Sequence, residues 1–219
     1  MAKITKKINK QFRHNRLALF DDMNILKTKK HVHKLYSDVT KIIKKELFAV
    51  VDYICKEVYE EALALGFDGD VEDLDEAWIE EFFEEYNPVT KYVFNREIER
   101  KESRLFEALV SNNRERQQSY KTAENLLLRQ VKQYSIDLED AVAMTVYKAV
   151  GVKEVMWVTE QDHKTCGECK ELDGEVYKLN EAPPKLHPNC RCYYVPVKEK
   201  NRPLKVGVLQ IRHSISSLV

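Results

Sequence analysis

Asp162-His163-Lys164-Thr165-Cys166-Gly167-Glu168-Cys169 and, after seventeen residues, His187-Pro188-Asn189-Cys190-Arg191-Cys192 bring four of the chain's five cysteines within twenty-seven positions. Cys166 and Cys169 have the Cys-x-x-Cys spacing that lets two thiolates reach one ion from a single tight turn, with Gly167 relieving the backbone between them. The second element adds three more soft or borderline donors, one more than a tetrahedral Zn²⁺ shell requires. Cys166, Cys169, His187 and Cys190 are the preferred ligands because they form two pairs of equal spacing. Cys192 is the alternative fourth ligand: two residues beyond Cys190 on a strand it points to the same face, leaving His187 outside. Buried, reduced or oxidised cysteines holding no metal are the plainer alternative.

The residues around this cluster favour strands. Val155 to Thr159, Gly174 to Leu179 and Arg191 to Val197 are short β-branched and aromatic runs bounded by Gly, Pro and Asp. The cysteine pair falls between the first and second runs, and His-Pro-Asn-Cys leads into the third. Three short strands bury too little apolar surface to stand unaided, so a metal pinning their connections fits a structural role.

Before about residue 150 the period is helical. Leu35, Val39, Ile42, Ile43, Phe48, Val51, Ile54 and Val58 recur at three and four residues, with Gly66 at the expected C-terminal cap. An acidic loop leads into a short helix carrying Leu74, Trp78, Ile79, Phe82 and Phe83, stopped by Asn87-Pro88. From Val89 to about Gln133 the pattern is one long helix, or two broken near Ser111-Asn112-Asn113. A last helix, capped by Ser135 or Asp137, is expected to run to Val150 and end at Gly151. The fold class is therefore α+β: a basic then acidic helical region over 1–88, long helices over 89–150, a small zinc-pinned antiparallel β-domain over 151–197, and a tail over 198–219 with one more strand at Val206–Ile211.

Charge is balanced over the whole chain but not along it. Residues 1–50 hold 13 Lys/Arg against 4 Asp/Glu, and residues 51–100 hold 4 against 16. Opposed blocks of this kind suit docking through complementary patches. No run approaches the roughly eighteen apolar residues of a membrane span, and the amino terminus has no apolar stretch behind its basic residues. With cysteines odd in number and clustered, an intracellular protein with a metal site is expected rather than a disulfide framework.

Other chemistry is less well supported. Asp162, His163, Glu168 or Glu171 could serve as general base beside a catalytic zinc, but a site with four good ligands is closed and no zinc-deaminase signature is present. Thioredoxin-like chemistry at Cys166-Gly-Glu-Cys169 needs a strand-to-helix setting, and the pair is expected in a loop. His31 and His33 do not share a helical face and are read as solvent residues. Trp78 and Trp157 are read as core anchors.

The run Ala149 to Thr159 containing Trp157, then Asp162, Thr165-Cys166-Gly167-Glu168-Cys169, Leu172-Asp173-Gly174 and His187-Pro188-Asn189-Cys190-Arg191-Cys192, resembles the carboxy-terminal domain of phage minor head proteins, the phage Mu protein F-like head morphogenesis family. The resemblance covers roughly residues 90 to 197 by organisation and 149 to 196 by motif; residues 1–88 lie outside it. It implies a virion component of a tailed phage or prophage, made in the host bacterial cytoplasm. Portal protein and major capsid or scaffold proteins are the implied partners, and some family members influence DNA packaging or ejection. A non-enzymatic minor head protein with one structural zinc, no membrane contact and no small-molecule substrate is the expectation. A zinc-dependent nucleic-acid-binding module contacting packaged DNA is the alternative.

Overall fold

The computed structural model describes residues 2–20, 24–71, 74–111 and 115–198. The strand expected at Val206–Ile211 lies outside the described residues, whereas the break expected near Ser111-Asn112-Asn113 is present: one helix ends at Ser111 and the next begins at Arg116.

Helices dominate the first two thirds: α1 (Ala2–Phe20), α2 (Ile25–Ala64), α3 (Glu76–Glu84), α4 (Phe94–Ser111) and α5 (Arg116–Ala149). Asn24 caps α2, its side chain accepting the N–H groups of Leu26 and Lys27 at 2.9 and 3.1 Å. Val32, Leu35, Val39, Ile43, Leu47, Val51, Ile54 and Val58 then put one fully buried stripe along 40 residues, a rod of about 60 Å. The helix ends at Leu65, and Gly66 follows with φ 83°, the left-handed residue that closes such ends. Helices α1, α4 and α5 pack on α2. Opposed charges meet within the molecule too: Glu46 on α2 is buried against Lys3 and Lys7 of α1, and Lys44 pairs with Glu80 of α3.

The end of α3 and the start of α4 are joined by a two-residue hairpin, β1 (Tyr86–Asn87) with β2 (Tyr92–Val93). The Asn87-Pro88 stop is thus a turn, with Asn87 Oδ1 accepting the N–H groups of Val89 and Thr90.

One expectation is corrected in α5. No new helix is capped at Ser135 or Asp137, because both lie inside a continuous 34-residue helix. Ser135 donates its hydroxyl to the Val131 carbonyl one turn back, at 2.9 Å, a bond compatible with helix interiors. Leu127, Val131, Tyr134, Leu138, Val142 and Val146 carry one buried stripe across the supposed boundary. The helix does stop before Gly151, whose φ is 78°.

After α5 come β3 (Glu154–Val158), the five-residue helix α6 (Gly167–Glu171), β4 (Val176–Lys178), a single 3₁₀ turn and β5 (Tyr193–Val197). The strands form one antiparallel sheet in the order β4-β3-β5, with Val155 opposite both Tyr177 and Pro196 and Trp157 opposite Tyr194. Pro196 sits on an edge strand, where a missing N–H is tolerated. Trp157 is fully buried and meets the Tyr194 ring edge-on at 5.3 Å, while Tyr147 of α5 donates its hydroxyl to the Tyr194 carbonyl at 3.3 Å. Trp78 is only partly buried, stacked on Phe82. One core runs from Ile4 in α1 to Tyr194 in β5. The sheet is therefore mounted on the end of the longest helical rods.

Candidate metal centre

Two short elements present the cysteines. Cys166 is the N-cap of α6, and its sulfur accepts the Cys169 N–H at 3.4 Å. The expected loop is thus a single helical turn, which points both sulfurs inward. On the other side His187-Pro188-Asn189-Cys190 forms a β-turn: the Cys190 N–H reaches the His187 carbonyl at 3.3 Å, and Asn189 takes φ 58°. Proline second and a left-handed residue third is the pattern of a type II turn, and Asn is among the few non-glycine residues that tolerate it.

These turns bring the donors together. His187 Nε2 lies 3.2 Å from Cys166 Sγ and 3.4 Å from Cys169 Sγ, and Cys169 Sγ lies 3.6 Å from Cys190 Sγ. Cys166, Cys169 and His187 form one group whose donor atoms all lie within 4.8 Å, and Cys169, Cys190 and Cys192 form a second, with Cys169 in both. Zinc–thiolate bonds of about 2.3 Å give tetrahedral edges of roughly 3.8 Å, slightly less where nitrogen replaces sulfur. The three shortest separations fall close to those edges, and Cys169 is the donor that joins the two groups. The residues line a void of about 20 Å³, room for one ion.

The donor chemistry fits as well. His187 Nδ1–H donates to the Pro188 carbonyl at 3.1 Å, which leaves the Nε2 lone pair facing the sulfurs. Cys169, Cys190 and Cys192 are buried and Cys166 is half-buried, and none is in a disulfide. Crowding divides the thiols. A hydrogen bond from Cys192 lowers Cys190 to about 5, and the Cys169 N–H lowers Cys166. Burial raises Cys169 to about 12, and the bond to Cys190 drives Cys192 up. Four thiolates cannot share so small a space by themselves, and a bound dication is what would let all deprotonate.

A ring of supporting bonds surrounds the cluster. Asp162 Oδ1 accepts the Lys164 N–H at 2.9 Å in an Asx-turn, and lies 2.5 Å from Arg191 Nη2. That ion pair ties the first turn to the residue between Cys190 and Cys192, and the arginine beside it holds the Asp162 carboxyl below the usual range. Asp173, of the Leu172-Asp173-Gly174 turn, accepts the Thr159 N–H at 2.8 Å and the Gln161 amide at 2.6 Å, closing the loop between β3 and β4. Neither Arg191 nor Gln133 stood out in the sequence. Gln133 is buried on α5, and its side-chain oxygen accepts the Asn189 N–H fifty-six residues away. Nothing in local spacing announces such a contact.

The catalytic candidates are placed elsewhere. Asp162 is engaged by Arg191, while His163, Glu168 and Glu171 are exposed. His33 is also exposed, 3.0 Å from Glu102, and His31 is half-buried.

Residues 100–195 match the family model described as phage Mu protein F like protein. This stretch, somewhat under half of the chain, is similar to phage Mu protein F like proteins. It takes in most of α4, all of α5 and the sheet with both cysteine turns, and it supports a phage head-related protein. Nothing among curated proteins matches the chain, and no solved structure does. Among the described residues no helix is long and apolar enough to cross a membrane.

Proposed function

We propose that this chain is a non-enzymatic minor head protein of a tailed phage or prophage, acting in head assembly and carried in the virion. In this reading Cys166, Cys169, His187 and Cys190 hold one structural zinc, and the helical region contacts portal and capsid or scaffold proteins. The observation that carries it is the donor cluster inside the Mu F-like segment, mounted on the end of α5. His187 Nε2 touches both sulfurs of the first turn, and Cys169 in turn touches Cys190, whereas Cys192 groups with Cys169 and Cys190 alone. That favours His187 over Cys192 as the fourth ligand. When bound, the ion supplies neutralising charge and a cross-link between two turns; orientation comes from the chain itself, through Pro188, Gln133 and the Asp162–Arg191 pair.

Metal analysis of the purified protein is expected to give one zinc per chain. The same melting temperature before and after chelation would sink the structural role. Co-purification with a co-expressed portal protein tests the assembly role.

A second reading, contact with packaged DNA, draws on Lys6, Lys10 and Arg13 of α1 and Lys30, Lys34, Lys41 and Lys45 of α2, all exposed at helical spacing. It requires duplex binding that falls steeply with salt. Binding that is absent or insensitive to salt rejects it.

A further inference from the structure

Between the β1–β2 hairpin, α5 and the segment before the His187 turn lies a cleft of about 200 Å³. Its walls include Phe82, Tyr86, Pro88, Tyr134 and Pro184, and its polar groups include Asp137, Asp140 and Lys185. Small-molecule sites begin at roughly 300 Å³, so this one has the size of a single large side chain.

The two aspartates stand one helical turn apart and differ in one respect. Asp140 has a cation: Lys185 Nζ is 3.1 Å away, buried, with the Trp157 and Tyr194 rings at 5.6 and 5.9 Å. A charge held between a carboxylate and aromatic faces is a favourable arrangement. Asp137 has no such partner. One of its oxygens accepts the Asn87 amide at 2.6 Å and the other the Gln133 amide at 2.8 Å, both neutral donors. Among the described residues no Lys or Arg lies within ion-pair distance of it. Burial accordingly pushes its carboxyl up to about 6. Aromatic surface is at hand at the mouth, where Tyr86 is 60% exposed with Glu85 beside it; Tyr134, in the wall, is itself fully buried against Phe94.

We propose that this cleft receives an arginine side chain from another polypeptide, its guanidinium paired with Asp137 and stacked on the ring of Tyr86. The arrangement would repeat what Lys185 does for Asp140. Arginine fits better than lysine because its planar head stacks on rings and remains a cation when partly desolvated. The inference needs neither bound zinc nor the phage assignment.

The test uses the full chain and a blocked Gly-Arg-Gly peptide, with the citrulline peptide as its uncharged isostere, followed by amide chemical shifts. The arginine peptide is expected to shift residues near 85–89 and 134–141 saturably, and the citrulline peptide is not. Tyr86→Ala, at an exposed position, should weaken binding about threefold. Asp137→Asn should weaken it about tenfold or more. Equal binding of the two peptides, shifts confined to another surface, or unchanged affinity in Tyr86→Ala would overturn the proposal. So would a chain lacking residues 199–219 that bound the peptide far more tightly, since Arg202 or Arg212 of the same chain would then be the occupant.

Discussion

The helical body and the carboxy-terminal sheet are built by different means. Along α2 a single stripe of eight fully or almost fully buried aliphatic residues meets α1, α4 and α5, and each helix satisfies its own backbone. The sheet has strands of only five, three and five residues, with Val155, Trp157, Tyr194 and Val195 as its main buried apolar groups. Its two long connections hold polar turns that bury little. Side chains therefore do the fastening: the Cys and His donors, Asp173 on Thr159, Arg191 on Asp162. The lesson is that apolar area stabilises a long helix in proportion to its length, whereas a small sheet depends on a few directional links.

Removing the proposed zinc should separate the two regions most sharply. Structural zinc sites contribute on the order of 10 kcal/mol of binding free energy. Chelation, or Cys169→Ser, is therefore expected to abolish amide protection in β3, β4 and β5 while leaving the helical circular dichroism near its starting value. Loss of helix and sheet together would show a single cooperative unit.

The converse cut is Leu47→Ala, at a fully buried site on α2. A loss of about 2–5 kcal/mol is expected in denaturant melts, with zinc content unchanged.

The junction between the regions is open to pH. Asp137 is shifted up, so its protonated form is favoured in the folded state. Its contribution is intact below the unfolded carboxyl pKa near 4 and is lost as pH rises through about 6. Stability should fall by about 3 kcal/mol across that interval, and Asp137→Asn should flatten this part of the profile. A wild-type profile flat between pH 4 and 6 contradicts it.

The smallest effect is expected at Gln133→Ala. This removes the acceptor of the Asn189 N–H and a donor to Asp137, at a cost of about 1 kcal/mol because Asn189 is exposed to water. Zinc affinity, measured by competition with a chelator dye, should drop while the helical melt barely moves.

Much of this organisation was legible beforehand. The α2 stripe, the cap at Gly66, the stop at Asn87-Pro88 and three strands separated by the two cysteine turns all follow from periodicity and turn chemistry. The motif order also pointed to the family that residues 100–195 match. Two local readings failed for one reason. Ser135 and Asp137 are good N-caps in isolation, and Cys166–Cys169 looked like loop, but the first pair is overridden by a continuous buried stripe and the second is drawn into a turn capped by a cysteine sulfur.

By itself the sequence determined where helices give way to strands and which donor types lie close along the chain, because hydrophobic period and turn residues are local properties. Only the tertiary structure decided that His187 reaches two sulfurs across a separation of about twenty residues, that Arg191 closes on Asp162, and that Gln133 of α5 anchors the second cysteine turn. Those links join segments 18 to 56 residues apart. Such contacts depend on how α5 and the sheet pack, which no local pattern encodes.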